Sequence, residues 1–263
     1  MPIIYDLSRL APDTRKLILK SSKFRKWFSE KPASMLRLDG STKVIKGNKF
    51  GYRTAILYLA PANMSGQNVC PMAKTAACAD ACLNTSGRGA MTGVQMSRLR
   101  KTLFWLQYKD EANALIRREI AMFEARAKKQ GWVLLVRLNG TSDIRWERYG
   151  IVEKFPNVQF YDYTKLANRR DVPANYDLTF SYSGVPAYQT QVRLALAQGM
   201  RMAVVFCKRS TVNKMLASQT KFQGLKVVDG DDTDIRHLDP QNTVVALYAK
   251  GKGKHDRSGF VVH

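Results

Sequence analysis

From Trp132 onward the chain repeats one pattern: a short apolar run, a polar turn, and then, in most cases, an interval long enough to hold a helix. The runs are Trp132–Leu138, Val158–Tyr161, Leu178–Tyr182, Met202–Phe206, Leu225–Val228 and Val244–Leu247. Runs this short, bounded by Gly, Asn and Asp, read as buried strands, and their alternation with helical intervals such as Ala187–Gln198 is the βαβ rhythm of a parallel sheet. A further run, Thr54–Ala60, precedes them. About seven strands fall short of a closed eightfold barrel and suit a barrel with a gap. The expected fold is therefore α/β: a partial or distorted (β/α) barrel of parallel strands.

Between the first and second of these strands, Val94–Lys129 carries Leu99, Leu103 and Leu106, then Leu115, Ile116, Ile120 and Phe123, at helical spacing with basic residues opposite. Gly131 ends that helix. Upstream, Thr14–Phe28 places Leu17, Ile18, Phe24, Trp27 and Phe28 among lysines and arginines, as one or two short amphipathic helices would, before Pro32 and Gly40 interrupt. Residues 1–48 read as a basic N-terminal extension and residues 49–263 as one barrel-like domain. The aromatics of the extension suit either stacking on bases or plugging the floor of the barrel.

Cysteine placement carries the strongest chemical signal. Cys70, Cys78 and Cys82 lie in one short run directly after the Thr54–Ala60 strand, and the fourth, Cys207, closes the strand Met202–Phe206. Thiolates that share a metal must converge on one point, and a loop leaving a strand end can fold them around it. If both strands belong to one parallel sheet, their carboxyl ends share a rim, and Cys207 completes a four-thiolate site. Read as metal ligands, the four favour a [4Fe-4S] cluster; zinc is the alternative, with His237, His255 and His263 as further donors.

Charge is the second signal. Lys and Arg total 43 against 21 Asp and Glu, a formal net charge of +22. Self-repulsion on this scale disfavours a compact chain unless a polyanion relieves it. The expected partner is nucleic acid, DNA before RNA, bound mostly through phosphates and without sequence preference. The basic residues expected to meet nucleic acid are Arg88, Arg98, Lys101, Arg145, Lys165, Arg169, Lys208, Arg209, Lys250 and Lys252, with Arg98 and Lys101 on the polar side of the long helix. No apolar stretch reaches membrane-spanning length and the amino terminus lacks a secretory layout, so a cytoplasmic location in a bacterial host, with no membrane partner, is expected.

Polar groups follow almost every strand: Asn139–Asp143, Asp162–Lys165, Ser181–Gly184 and Asp229–Asp234. Asp143, Asp162, Asp229, Asp231, Asp232 and Asp234 could converge to hold Mg²⁺ for phosphodiester chemistry. They could equally pair with arginines or cap turns.

A strand whose following loop carries three cysteines, then a helix, then a strand ending in a Gly-containing polar turn resembles the radical SAM partial barrel. That resemblance implies a [4Fe-4S] cluster with one iron open to S-adenosylmethionine, although the spacing here, seven residues and then three between cysteines, departs from that family's three and two. The segments Cys82–Gly89, Val136–Asp143, Phe160–Lys165, Val228–Asp234, Ala249–Gly251 and Ser258–Val261 are similar to the phage family called gene product 88, over roughly residues 50–263. This implies a bacteriophage origin and little about mechanism. Three functions follow: a phage nucleic-acid-binding protein with a mainly structural iron–sulfur centre; a metalloenzyme on the same scaffold, SAM-dependent or Mg²⁺-dependent and acting on nucleic acid; and an interaction module whose charge serves only solubility.

Overall fold

The computed structural model describes residues 3–263. Eight strands form one sheet: β1 (Leu36–Leu38), β2 (Tyr52–Leu57), β3 (Val133–Arg137), β4 (Gln159–Thr164), β5 (Tyr176–Ser181), β6 (Met202–Phe206), β7 (Lys226–Asp229) and β8 (Thr243–Tyr248). Their order is β1-β2-β3-β4-β5-β6-β8-β7. Every pair is parallel except β1–β2, in which Leu36 faces Leu57. Each apolar run expected to be a strand is one. The inversion of β8 and β7 depends on long-range pairing.

The long helical pattern divides into α4 (Thr92–Gln107) and α5 (Lys109–Gln130), because Tyr108 leaves helical geometry at φ −131°, ψ 57°. Gly131 caps α5 at φ 69°, in the left-handed region glycine tolerates. Two further helices, α6 (Gln189–Ala197) and α7 (Arg209–Ala217), follow β5 and β6.

One face of the sheet is mainly apolar, with Asp162 and Thr164 as buried polar residues near its carboxyl edge. Ala55 and Leu57, Leu134 and Val136, Phe160 and Tyr176 pack with Leu99, Leu103, Phe104, Ile116 and Ile120 of α4 and α5. Phe180, Met202, Val204, Phe206, Val244 and Ala246 pack with Val192, Ala195 and Val212 of α6 and α7. Burial of these side chains removes roughly 2 kcal/mol of apolar exposure for each.

The amino-terminal segment joins the same core. Helices α1 (Pro12–Lys20) and α2 (Ser22–Trp27) contribute Ile18 and Phe24, and Tyr5, Leu10 and Phe28 are buried beside them. Their outward surfaces carry Arg15, Lys16, Lys20, Lys23, Arg25 and Lys26, all exposed. Strand β1 lies within the residues expected to precede the domain, so the first sheet strand begins at Leu36 rather than after residue 49. Three residues are too few to show an alternating pattern, and β1 is recognisable only through its pairing with β2. A four-residue helix, α3 (Thr42–Ile45), links the two strands.

The opposite face is charged. Register places Thr54, Leu135, Arg137, Tyr161, Tyr163, Asp177 and Thr179 on it, with Arg201 paired opposite Thr179 at the start of β6. Residues 231–239 leave β7 and cross this face: Ile235 packs on Leu135, Tyr161 and Tyr52, while His237 meets the rings of Tyr52 and Tyr161.

Candidate functional site at the carboxyl rim

At the carboxyl end of β2 the chain enters a long loop containing Cys70, Cys78 and Cys82, all half-buried and free of disulfides. Cys70 packs against the larger core cluster and Cys78 against the smaller, so the loop sits at the seam between them. The Ala62 N–H donates to Cys70 Sγ at 3.3 Å, and the thiol reaches the Thr141 carbonyl at 3.7 Å. The Asn84 N–H donates to Cys82 Sγ at 3.5 Å. Burial pushes the Cys70 thiol up to about 12; the Ala62 N–H works against the rise, and Asp143, Cys82 and Cys78 add to it. Burial raises Cys78 and Cys82 as well, with the positive charge of Lys165 opposing it in both. Each of these thiols is therefore near enough to feel another charged or ionisable member of the group.

Lys165, at the end of β4, is the cation among them. Its Nζ donates to Ser181 Oγ at 3.0 Å and to the Ser181 carbonyl at 3.2 Å, beneath the ring of Phe260 at 4.5 Å. Only 9% of the residue is exposed. Among the described residues no carboxylate lies within ion-pair distance of this ammonium, whereas the buried Arg137, Arg169, Arg201 and Arg236 all have one. Burial lowers its pKa, and the anionic forms of Cys78, Asp143, Cys70 and Cys82 are what oppose that. Asp143 turns its oxygens elsewhere, to the Thr164 hydroxyl at 2.9 Å and the Lys165 backbone N–H at 2.8 Å.

The chain's last strand leads into a segment that covers the loop. Gly251, at φ 55°, lies where a Cβ would stand 2.6 Å from Ser86 Cβ, so both the conformation and the space call for glycine. Ser258 Oγ donates to the Ala77 carbonyl at 3.2 Å, and the Gly184 N–H to the Gly259 carbonyl at 2.8 Å. Cys207 is held on this segment: its N–H donates to the Val262 carbonyl at 2.7 Å and its Sγ lies 3.7 Å from the Lys254 carbonyl. The structure thus holds Cys70, Cys78 and Cys82 on one loop whose thiols feel the Lys165 charge, and places Cys207 against the covering segment instead. Among the described residues no three His, Cys, Asp or Glu side chains stand close enough to hold a single metal ion.

The strand-end carboxylates do not converge. Asp162 is fully buried and accepts from the N–H groups of Leu138 (3.1 Å) and Asn139 (3.0 Å) and from the Tyr176 hydroxyl (2.9 Å). Burial raises it to about 6, against the nearby charge of Arg137. Asp234 pairs with Arg137 and, at 3.5 Å, with Lys43, and accepts from the Tyr163 hydroxyl at 3.3 Å. Asp229 holds Arg209, Asp231 meets Lys43, Arg209 and Lys250 at 3.6–3.7 Å, and Asp232 is exposed. Each buried member is consumed by arginine or backbone donors, which is the turn-and-pairing alternative rather than a Mg²⁺ cage.

The basic residues expected to meet phosphates divide in the same way. Arg169 is buried, with its guanidinium on Glu147 and 3.8 Å from Asp143, so no backbone phosphate can reach it. Lys101 donates to the Met35 carbonyl at 2.8 Å, and Arg98 bonds Asn84 and stacks on Tyr58. Arg209 and Lys250 lean on the Asp229–Asp231 turn. Arg88, Lys208 and Lys252 are exposed, and Arg145 is half-buried with one N–H on Asn168. Sequence reasoning missed Lys43, Arg137, Arg201 and Arg236. The available signal was a charge inside or beside an apolar strand, as at Arg137 and Arg201.

The sequence profile of one family, described as Gene product 88, matches residues 34–263. The chain belongs to the gene product 88 family. The match begins just before β1, so that strand and the whole sheet lie inside the family's extent, and the family places the protein among phage gene products. No curated protein and no solved structure matches it. Among the described residues no helix is long and apolar enough to cross a membrane.

Proposed function

We propose that this gene product 88 family member binds nucleic acid, DNA before RNA, and carries a mainly structural [4Fe-4S] centre on Cys70, Cys78 and Cys82, with Cys207 as fourth ligand. The observation that carries the metal reading is Lys165: a buried ammonium without a carboxylate partner, beside three thiols that one loop delivers. Burying a charge is costly unless it is paired. Metal-bound thiolates would supply the anions that this ammonium lacks, and the ammonium would in turn offset their mutual repulsion. A cluster several ångströms wide also bridges thiols that stand apart, which a single zinc ion with bonds of about 2.3 Å does not. The net charge of +22 and the exposed cations on α1 and α2 support the nucleic-acid partner.

Cys207 gives a second reading its support. Because it sits on the covering segment, a cluster held by the other three would keep one iron open, as in radical SAM-like enzymes. The run of parallel strands in sequence order from β2 to β6, with the helices α4 to α7 against one face, is also compatible with a partial barrel. Such a cluster supplies an electron and a site for S-adenosylmethionine; Lys165 and Ser181 would line its approach.

The deciding experiment is iron, sulfide and zinc content of protein purified without oxygen, wild type and Cys207→Ala. About four irons per chain that become labile in Cys207→Ala support the structural centre. Retention of all four in Cys207→Ala supports the open-iron reading, and zinc or no metal defeats both. DNA affinity measured in parallel should fall steeply with salt; a flat response removes the nucleic-acid reading.

A further inference from the structure

Beside the cysteine rim, the turns after β3 and β4 line a half-open depression of about 370 Å³ formed by Arg145, Glu147, Arg148, Asn168, Arg170 and Asp171. Its charge is organised. Glu147 is taken up by Arg169, which bonds both of its oxygens, so its charge is already balanced. Arg145 is steadied on the wall by its bond to Asn168 Oδ1 at 3.2 Å, which leaves its remaining N–H groups free to point elsewhere. Arg148 and Arg170 are exposed, and among the described residues none of the three arginines has a carboxylate within ion-pair distance. Three guanidiniums therefore face one unpaired carboxylate, Asp171, and the depression carries an excess of two positive charges.

We propose that this depression binds a phosphomonoester dianion, the terminal phosphate of a nucleic-acid strand. Three points favour that ligand over an internal phosphodiester. A dianion balances the excess where a diester supplies one charge. Planar guanidiniums carried on two turns that line one depression can each offer paired N–H groups to the three terminal oxygens of a phosphoryl group. A concave depression receives a chain end, whereas a continuous backbone is better followed by an open groove. The strand-end assignment rests on the nucleic-acid reading above; the phosphomonoester site itself does not.

The test measures binding of a 5′-phosphorylated oligonucleotide, its 5′-hydroxyl counterpart, a nucleoside monophosphate and inorganic phosphate to the full chain. The phosphorylated strand is expected to bind about tenfold or more tightly than the hydroxyl strand. Arg148→Ala and Arg170→Ala, both at exposed positions, are each expected to erase most of that difference, while Arg193→Ala on α6 leaves it intact. The preference should also shrink as pH falls from 7.5 to 5.5, since the second phosphate pKa lies near 6. Equal binding of the two oligonucleotides, or a preference that survives both variants, overturns the site. If no oligonucleotide binds but the monophosphate does, and Arg148→Ala abolishes it, the site stands and its source is a free nucleotide; if no phosphate-bearing probe binds, the proposal falls.

Discussion

Two regions of this protein bury charge, and they do so in opposite ways. On the inner face of the sheet every buried guanidinium has its carboxylate: Arg137 with Asp234, Arg201 with Asp177, Arg236 with Asp239. At the carboxyl rim Lys165 is as buried, yet its partners are a hydroxyl, a carbonyl and two aromatic rings. On the inner face each buried guanidinium has a counter-charge that acts on stability, although Arg137 Nε, Arg236 Nε and His237 Nδ1 remain without hydrogen-bond partners. A lone ammonium among hydroxyl, carbonyl and ring partners is instead left without a counter-charge, which the proposed thiolate-bound centre would supply.

The largest test of this contrast is Asp234→Ala. It removes the nearer carboxylate from Arg137 and Lys43, leaving them Asp162 at 3.8 Å and Asp231 at 3.7 Å, and is expected to lower unfolding free energy by about 3 kcal/mol in chemical denaturation. A loss under 1 kcal/mol would mean that the inner face is not held by its pairs. Asp162, on the opposite face beside Tyr176, tests a buried carboxylate by pH. Its raised pKa means that the folded state holds the proton more tightly than the unfolded chain. Its stabilising contribution is thus complete below about pH 4 and is lost as pH rises through about 6, by at most about 3 kcal/mol. Subtracting the pH profile of Asp162→Asn from that of wild type should isolate this fall; parallel profiles would refute it. Smallest in stability is Lys165→Met, which removes an unpaired buried cation and should change unfolding free energy by about 1 kcal/mol or less. The same variant should lose most of its iron when purified without oxygen. A strongly destabilised Lys165→Met with its metal intact would erase the distinction between the two regions.

Much of the sheet was legible because buried parallel strands are apolar runs, and all seven expected runs carry ladders. What was not legible followed from distance. β1 has three residues and gains its identity from pairing with β2, and the break at Tyr108 interrupts an apolar face that continues on both sides. The placement of Cys70, Cys78 and Cys82 on one loop was readable from their spacing. The placement of Cys207 was not: inclusion in a shared rim says nothing about the covering segment that contacts it. Arg169 looked like a phosphate binder for the same reason. Its partner Glu147 lies 22 residues away and is brought in by the turn after β3.

The covering segment also imposes an order in time. Ser258 closes over Ala77 across 181 residues of sequence, and Gly251 against Ser86 does the same nearby. At synthesis rates of 5–20 residues per second, the cysteine loop emerges roughly ten to forty seconds before its cover exists. During that interval the three thiols are open to whatever delivers iron and sulfide, and equally to oxidants. Under the proposed iron–sulfur reading, loading of the site and closure of the chain over it would be competing events, and a slow ribosome would favour the first.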